Sequence, residues 1–462
     1  MPLNLNATLD SIYFFMWPGW RTELEANRWH WGKRWAERLP TVFIQPELPC
    51  GTRWQTAPEP RLANVELLSI EASSMVSDEW LGVAVRQAGQ IVAHMSLRGY
   101  ERPLFWFYNP QLAGPFALIP SRARVLHGTE NYFDFEGVGK DLLNLWCYAA
   151  ESSDLVICCS SGVVSGLKKN TQIRDVLLLP NGCDFRKYSR PSNVKGGWSA
   201  RLNDWRSMGR RLAVFAGNIN ERLDFELIET LAARYTDIGF VFAGPVDTTH
   251  LSDAQRCSWR NVELATNVRI LGRLPVEDLP ALYWSCDVGI IPYRTDLPKV
   301  VENGFPLKAL EMAAAGLPVV ASLMKPLKEA AGAVTVVADA AAFSAAILTH
   351  SRRSRSQEQR ALAERICRAS DYDLLFDRML QSLGPRIDEV QSRPASLEHF
   401  VNRIGLVRYR LALQQLAAPP SAPQRLRDLT RYRVGALLGL VPARLRRMAP
   451  QPIKRLARRW LS

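Results

Sequence analysis

Between Asn267 and Ser322 the chain reads NVRILGRLPVEDLPALYWSCDVGIIPYR, then a loop, then NGFPLKALEMAAAGLPVVAS. This order constrains the fold more than any other stretch. It predicts a strand, a Gly turn, a helix opening near Glu277 and Asp278, and a buried strand over Val288–Pro292. A second unit follows: a loop, a helix from about Leu307 to Ala315, a stop at Gly316, and a strand over Leu317–Ala321. Gly just past a helix end is a stop signal. Two successive strand–loop–helix units define a doubly wound α/β domain, whose ligands bind at the carboxyl ends of its strands. The loop 303–308 therefore falls at a ligand position.

Helix-start amides suit phosphate, because they are unpaired and carry a partial positive charge. Lys308 in the first turn opposes its own helix dipole, which makes sense with an anion nearby. Glu311 is at i+3 from Lys308, so both side chains can reach one site, and a carboxylate there suits a ribose diol. An ordinary surface ion pair between the two is the competing reading.

The segment resembles the nucleotide-sugar half of GT-B glycosyltransferases, close to glycosyltransferase family 4 and to bacterial capsule, teichuronic-acid and exopolysaccharide transferases. Their block E-G-F-(small)-x-x-x-x-E, then A-x-G-x-P-V-V, becomes Asn303-Gly304-Phe305-Pro306-Leu307-Lys308-Ala309-Leu310-Glu311, then Ala315-Gly316-Leu317-Pro318-Val319-Val320. Glu311 matches the second Glu of the pair, which holds the donor ribose. Position 303 carries Asn where the first Glu is expected, and Glu302 precedes it by one residue. Pro306-Leu307-Lys308 fits polysaccharide transferases with P-L-K in this loop. The same resemblance runs through Leu212–Asp224 (LAVFAGNINERLD), whose turn faces the donor diphosphate in relatives. It implies that Gly217 allows close approach and that Arg222 supplies charge, where the plain alternative is Arg222 pairing with Glu226. Arg273, in the turn after Ile270, falls where relatives contact the base, and LLPNGCD (178–184) matches the segment between the halves.

The expected architecture is α/β: two Rossmann-like doubly wound domains facing a cleft, plus a basic amphipathic helical tail. The expected boundaries are 1–190 for the acceptor-side domain and 191–210 for a linker. The nucleotide-sugar domain is expected over 211–370, a closing helix over 371–388, and the tail over 389–462. A 462-residue chain that is 47% hydrophobic can fill two such cores. No G-x-G-x-x-G or Walker motif occurs, so dinucleotide and P-loop readings have no support. The eight cysteines show no zinc spacing. The block has no Asp-x-Asp metal site, and the resemblance implies metal-independent transfer with no cofactor.

From the acceptor side, RVLHGTENYF (124–133) runs from a strand into a loop. The resemblance places His127 near the donor sugar and Glu130 at an acidic position, where it could serve as general base. Plain strand and helix capping is the alternative for both. Trp17-Pro18-Gly19-Trp20 is expected to line the acceptor side.

Charge is uneven. From Arg403 onward there are fourteen basic residues and one acid, Asp428, so the tail carries the whole net charge of +13. Ile453, Leu456, Ala457, Trp460 and Leu461 share one helical face, with Lys454, Arg455, Arg458 and Arg459 on the other. This is the pattern of an interfacial helix on an anionic membrane. A solvated tail is the alternative; nucleic-acid binding lacks stacking aromatics and a recognised module. Together these readings imply a nucleotide diphospho-sugar donor, a lipid-linked or saccharide acceptor, and a cytoplasmic protein peripheral at the inner face of the plasma membrane. A UDP-sugar epimerase and a non-catalytic scaffold are the rivals.

Overall fold

The computed structural model describes residues 5–20, 25–72, 80–135, 137–190, 197–352 and 357–390. The tail residues Lys454, Arg455, Arg458, Arg459 and Trp460 lie outside them.

The first half is built on β1 (Ser11–Phe15), β2 (Thr41–Leu48), β3 (Gln55–Pro58), β4 (Val65–Glu71), β5 (Pro103–Phe107), β6 (Ala123–Gly128), β7 (Leu155–Cys158) and β8 (Leu177–Leu178). They form one sheet in the order β3-β4-β2-β1-β5-β6-β7-β8. Only β3 runs antiparallel to its neighbour. Central strands such as SIYFF and PLFWF are buried along their whole length, as expected of parallel strands covered on both faces.

The second half is built on β9 (Arg211–Ala216), β10 (Ile238–Ala243), β11 (Val268–Gly272), β12 (Val288–Ile291), β13 (Val319–Ser322) and β14 (Val334–Val337). Its order, β11-β10-β9-β12-β13-β14, is all parallel and reverses between β9 and β12. In the first sheet the reversal falls between β1 and β5. At such a switch point adjacent loops diverge and leave a crevice beyond the strand ends.

Two segments tie the halves together. The helix Tyr372–Val390 places Tyr372, Phe376, Met379 and Leu383 in the first half's apolar core. There His30 stacks on Tyr372 with ring centroids 4.1 Å apart, and Arg34 pairs with Asp373 at 2.8 Å. Residues 197–207, expected as part of a polar linker, instead form a helix. Its Trp198, Leu202 and Trp205 are buried in the second half's core, with the Arg269 guanidinium 4.2 Å from the Trp205 ring centroid. The apolar residues recur at i, i+4 and i+7, which puts these three on one helical face.

Candidate functional site

Two cavities adjoin along the cleft, at the carboxyl ends of both sheets. They share Ala26, Pro306 and Leu307 in their linings.

The smaller, about 260 Å³, is lined by Gly217, Gly244, Arg273, Lys308 and Glu311 of the second half, together with Glu25. Gly217 has φ +142°, and a Cβ there would lie 2.1 Å from Lys308 Nζ. A Cβ on Gly244, at φ +148°, would lie 2.0 Å from the Gly217 carbonyl oxygen. Two side-chain-free turns therefore leave room for backbone and the Lys308 ammonium to meet at the strand ends. The ammonium sits 4.0 Å from the Phe215 ring centroid and donates to Tyr293 Oη at 3.0 Å. Both contacts orient the cation without neutralising it.

Glu311 is only 8% exposed, so the surface-pair reading does not describe it. Burial raises its carboxyl to about 7, against opposing help from the Tyr188 hydroxyl and the charges of Lys187 and Lys308. The helix that carries both residues, Leu307–Ala314, begins after Pro306 with no side-chain cap and no acid in its first turn. The Ala309 amide donates to the Pro306 carbonyl at 3.1 Å, and no side chain caps the amides ahead of it.

The larger cavity, about 590 Å³, is lined from both halves. The first half contributes Trp17, Pro18, Asn27, Arg28, Glu130, Tyr132, Phe135 and Asn181; the second contributes Arg222, Tyr293, Lys299 and residues 303–307. Trp20, by contrast, is buried and donates its indole N–H to Glu59 at 2.9 Å. Glu130 is exposed to the cleft. Burial pushes its protonation upward, and Arg222, Arg28 and Lys299 oppose that shift. The cations facing the cleft thus offset the desolvation of the carboxylate.

Asn303 ends the helix Pro298–Asn303 and reaches across the cleft. Its Nδ2 donates to Asp134 Oδ2 at 2.7 Å, and Asn131 donates to the same oxygen at 2.6 Å. Glu302 turns away and pairs with Lys325 at 2.5 Å. Phe305 contributes its carbonyl oxygen, which accepts from Asn181 Nδ2 at 2.7 Å.

His127 is a correction. It is fully buried and absent from the lining of either cavity. Its ring packs edge-on to Trp31 and near Trp106, with Tyr108 Oη 3.0 Å from Nδ1. Burial alone depresses it to about 3, so it stays neutral. The period-2 alternation of β6 turns residue 127 into the aromatic core, while Glu130, past the strand end, escapes into the cleft.

The sequence reading missed Asn27, Arg28, Tyr132, Phe135, Asn181, Tyr293 and Lys299 as cavity residues. Asn181 lies inside the PNG segment and Lys299 just ahead of the 303 loop, so proximity to those motifs was the available signal. Arg28 carries none; it opens a Trp-rich helix that reads as core. Among the described residues no group of three or more His, Cys, Asp or Glu side chains could hold a metal ion.

The two facing doubly wound halves, with a cleft at their strand ends, are the GT-B fold. Residues 210–352, within the second half, match the family model described as Glycosyl transferases group 1. Over 106 residues the chain is 34% identical to the putative teichuronic acid biosynthesis glycosyltransferase TuaH of Bacillus subtilis (strain 168), covering 23% of this chain. The aligned part spans about a quarter of that relative's length. Among solved structures, a sucrose-phosphate synthase from Thermosynechococcus elongatus superposes with a TM-score of 0.61 at 16% identity, covering 81% of this chain and 99% of that one. A trehalose-6-phosphate protein from E. coli bound with UDP-2-fluoro glucose gives 0.60 at 14% identity, again over 81% and 99%. At these identities the likeness is one of fold.

Proposed function

We propose that the protein is a glycosyltransferase that moves a sugar from a nucleotide diphospho-sugar, a UDP-sugar by preference, to a saccharide or lipid-linked acceptor in cell-surface polysaccharide synthesis. The observation that carries this reading is the meeting of Lys308 Nζ with the Gly217 turn above Glu311, in one cavity at the strand ends. A diphosphate seated there would face an ammonium, open helix-start amides and a turn with no side chain in the way, with Arg222 at the cleft side. Such donors, fixed before reaction, stabilise charge as it builds on the leaving diphosphate. Arg273 would face the base, and Glu311 would accept from ribose hydroxyls. The reading assigns the diphosphate's charge to these cations rather than to a metal. Glu130, across the cleft, is the candidate general base for an acceptor hydroxyl. The UDP-sugar seen in the E. coli neighbour and the teichuronic-acid name of the Bacillus relative agree with it.

Calorimetric titration with UDP, GDP, ADP and CMP tests the reading. One diphosphate should bind, and Lys308→Ala should weaken it at least about tenfold, or roughly 1.4 kcal/mol. Binding of none would leave the chain as a non-catalytic scaffold. Membrane association is proposed from the tail's charge and from its pairing of an apolar with a basic helical face in the sequence. No helix among the described residues is long and apolar enough to cross a bilayer. Removal of residues 424–462 should abolish binding to anionic vesicles, and unchanged binding would reject the proposal.

A further inference from the structure

A single hydrogen bond joins the two cavities. Lys308 lines the smaller one and Tyr293 the larger, and the Lys308 ammonium donates to Tyr293 Oη at 3.0 Å. The bond therefore links the side that the donor reading gives to the diphosphate with the side it gives to the acceptor.

The direction of this bond follows from its chemistry. An ammonium has three donors and no acceptor, so the phenol oxygen must accept. The phenol's own hydrogen is then left for another acceptor. Among the described residues no group accepts it, and Tyr293 is half-buried at the cavity wall.

Backbone pairing fixes where that hydrogen can point. Tyr293 lies just past β12, beside β9, where the order of the second sheet reverses. An antiparallel bridge pairs Leu223 with Tyr293. On either side of it, the Asp224 amide donates to the Pro292 carbonyl at 2.9 Å and the Arg294 amide to the Arg222 carbonyl at 2.8 Å. The Tyr293 ring meets that of Phe215 at 6.2 Å between centroids and 65° between planes. The phenol is thus clamped to the loop that carries Arg222 before any ligand arrives. Donors fixed in advance act most strongly where charge develops. An ammonium donating into the hydroxyl also strengthens the bond that the hydroxyl passes on.

We propose that Tyr293 is a catalytic residue whose phenol O–H donates to the leaving oxygen of the donor diphosphate. The proposal rests on the glycosyltransferase reading of the two cavities. As the bond from the anomeric carbon to that oxygen breaks, its electron pair stays on the diphosphate. The phenol hydrogen-bonds the oxygen and keeps its proton. The acceptor oxygen bonds the anomeric carbon and passes its proton to Glu130. Lys308 and Tyr293 act as a pair on the departing group, one from each cavity.

The test is calorimetric titration of the full chain and of Tyr293→Phe, which removes the hydroxyl and keeps the ring. UDP, the leaving group itself, is compared with UMP, which lacks the leaving oxygen; GDP with GMP and ADP with AMP run in parallel. Tyr293→Phe should weaken UDP at least about tenfold, as for a lost hydrogen bond to a charged group, and UMP less than about twofold. In a Lys308→Ala background the same substitution should still weaken UDP at least about threefold, because the phenol makes its own bond to the phosphate. Both nucleotides are measured on one variant, so a partial loss of folded protein cancels from the contrast. Unchanged UDP affinity, or an equal loss for UDP and UMP, overturns the proposal. A loss that vanishes without Lys308 overturns it too, because Tyr293 would then only anchor the ammonium. UDP binding without these contrasts leaves the donor reading standing; binding of none of the three diphosphates removes both.

Discussion

Asn303 of the second half donates its side-chain amide to Asp134 of the first half at 2.7 Å, across the mouth of the cleft. On the far side of Asn303, a Cβ on Gly162 would lie 2.0 Å from Asn303 Oδ1. The amide is therefore held between a carboxylate and a helix that comes close only because residue 162 lacks a side chain. A glutamate at 303 would set two carboxylates against each other. Asn303→Glu should loosen the closed arrangement, read as a larger radius of gyration by small-angle scattering. Adding Asp134→Asn should restore it, with a coupling energy of about 1 kcal/mol in a double-mutant cycle. Equal scattering from wild type and Asn303→Glu would remove the clasp from the account of closure.

Gly217 faces a steric and a conformational limit together, since a Cβ would fall 2.1 Å from Lys308 Nζ at φ +142°. Gly217→Ala should displace the ammonium and strain the turn, at a stability cost of about 1–3 kcal/mol. Nucleotide affinity should fall at least about tenfold. Unchanged affinity in a folded variant would mean that Lys308 reaches its ligand by another path.

Glu311 gives a pH dependence of definite sign. Its folded value of about 7 lies above the ordinary 4.5, so the native state holds its proton more tightly than the unfolded chain. The corresponding stability is full below about 4.5 and is lost as pH rises from there through about 7. It amounts to at most on the order of 3 kcal/mol. Denaturant titrations across this window should show the loss in wild type relative to Glu311→Gln. If ribose hydroxyls donate to the carboxylate, nucleotide affinity should rise over the same interval. Parallel stability curves for the two proteins would contradict the assignment.

His127 behaves oppositely. Its folded value of about 3 lies below the ordinary 6.5, so the unfolded chain takes up the proton first. Stability is complete above about 6.5 and is lost as pH falls through about 3, on the order of 5 kcal/mol at most. Proton NMR should find no titration of this ring between pH 5 and 8. A midpoint near 6.5 would place it in water and return it to the cleft.

The second half was legible wherever local chemistry repeats along the chain. Short apolar runs and the Gly after Ala315 specify strands and a helix stop within a few residues of one another, and β12, β13 and the helix between them follow. Lys308 opposing its own dipole pointed to an anion for the same local reason. Trp198, Leu202 and Trp205 were also legible in principle, but only by helical spacing and not by average polarity.

What the linear pattern determined by itself was the doubly wound class, the loop 303–308 at the strand ends, and the concentration of positive charge after Arg403. Tertiary structure alone decided that His127 is core and Glu130 is cleft, three residues apart, because strand pleat and strand end send them in different directions. It also decided that Asn27, Arg28, Asn181 and Phe305 share one cavity and that Asn303 meets Asp134. Such groups converge only when the two sheets face each other, and side chains separated by more than a hundred residues carry no mutual signal until the chain closes.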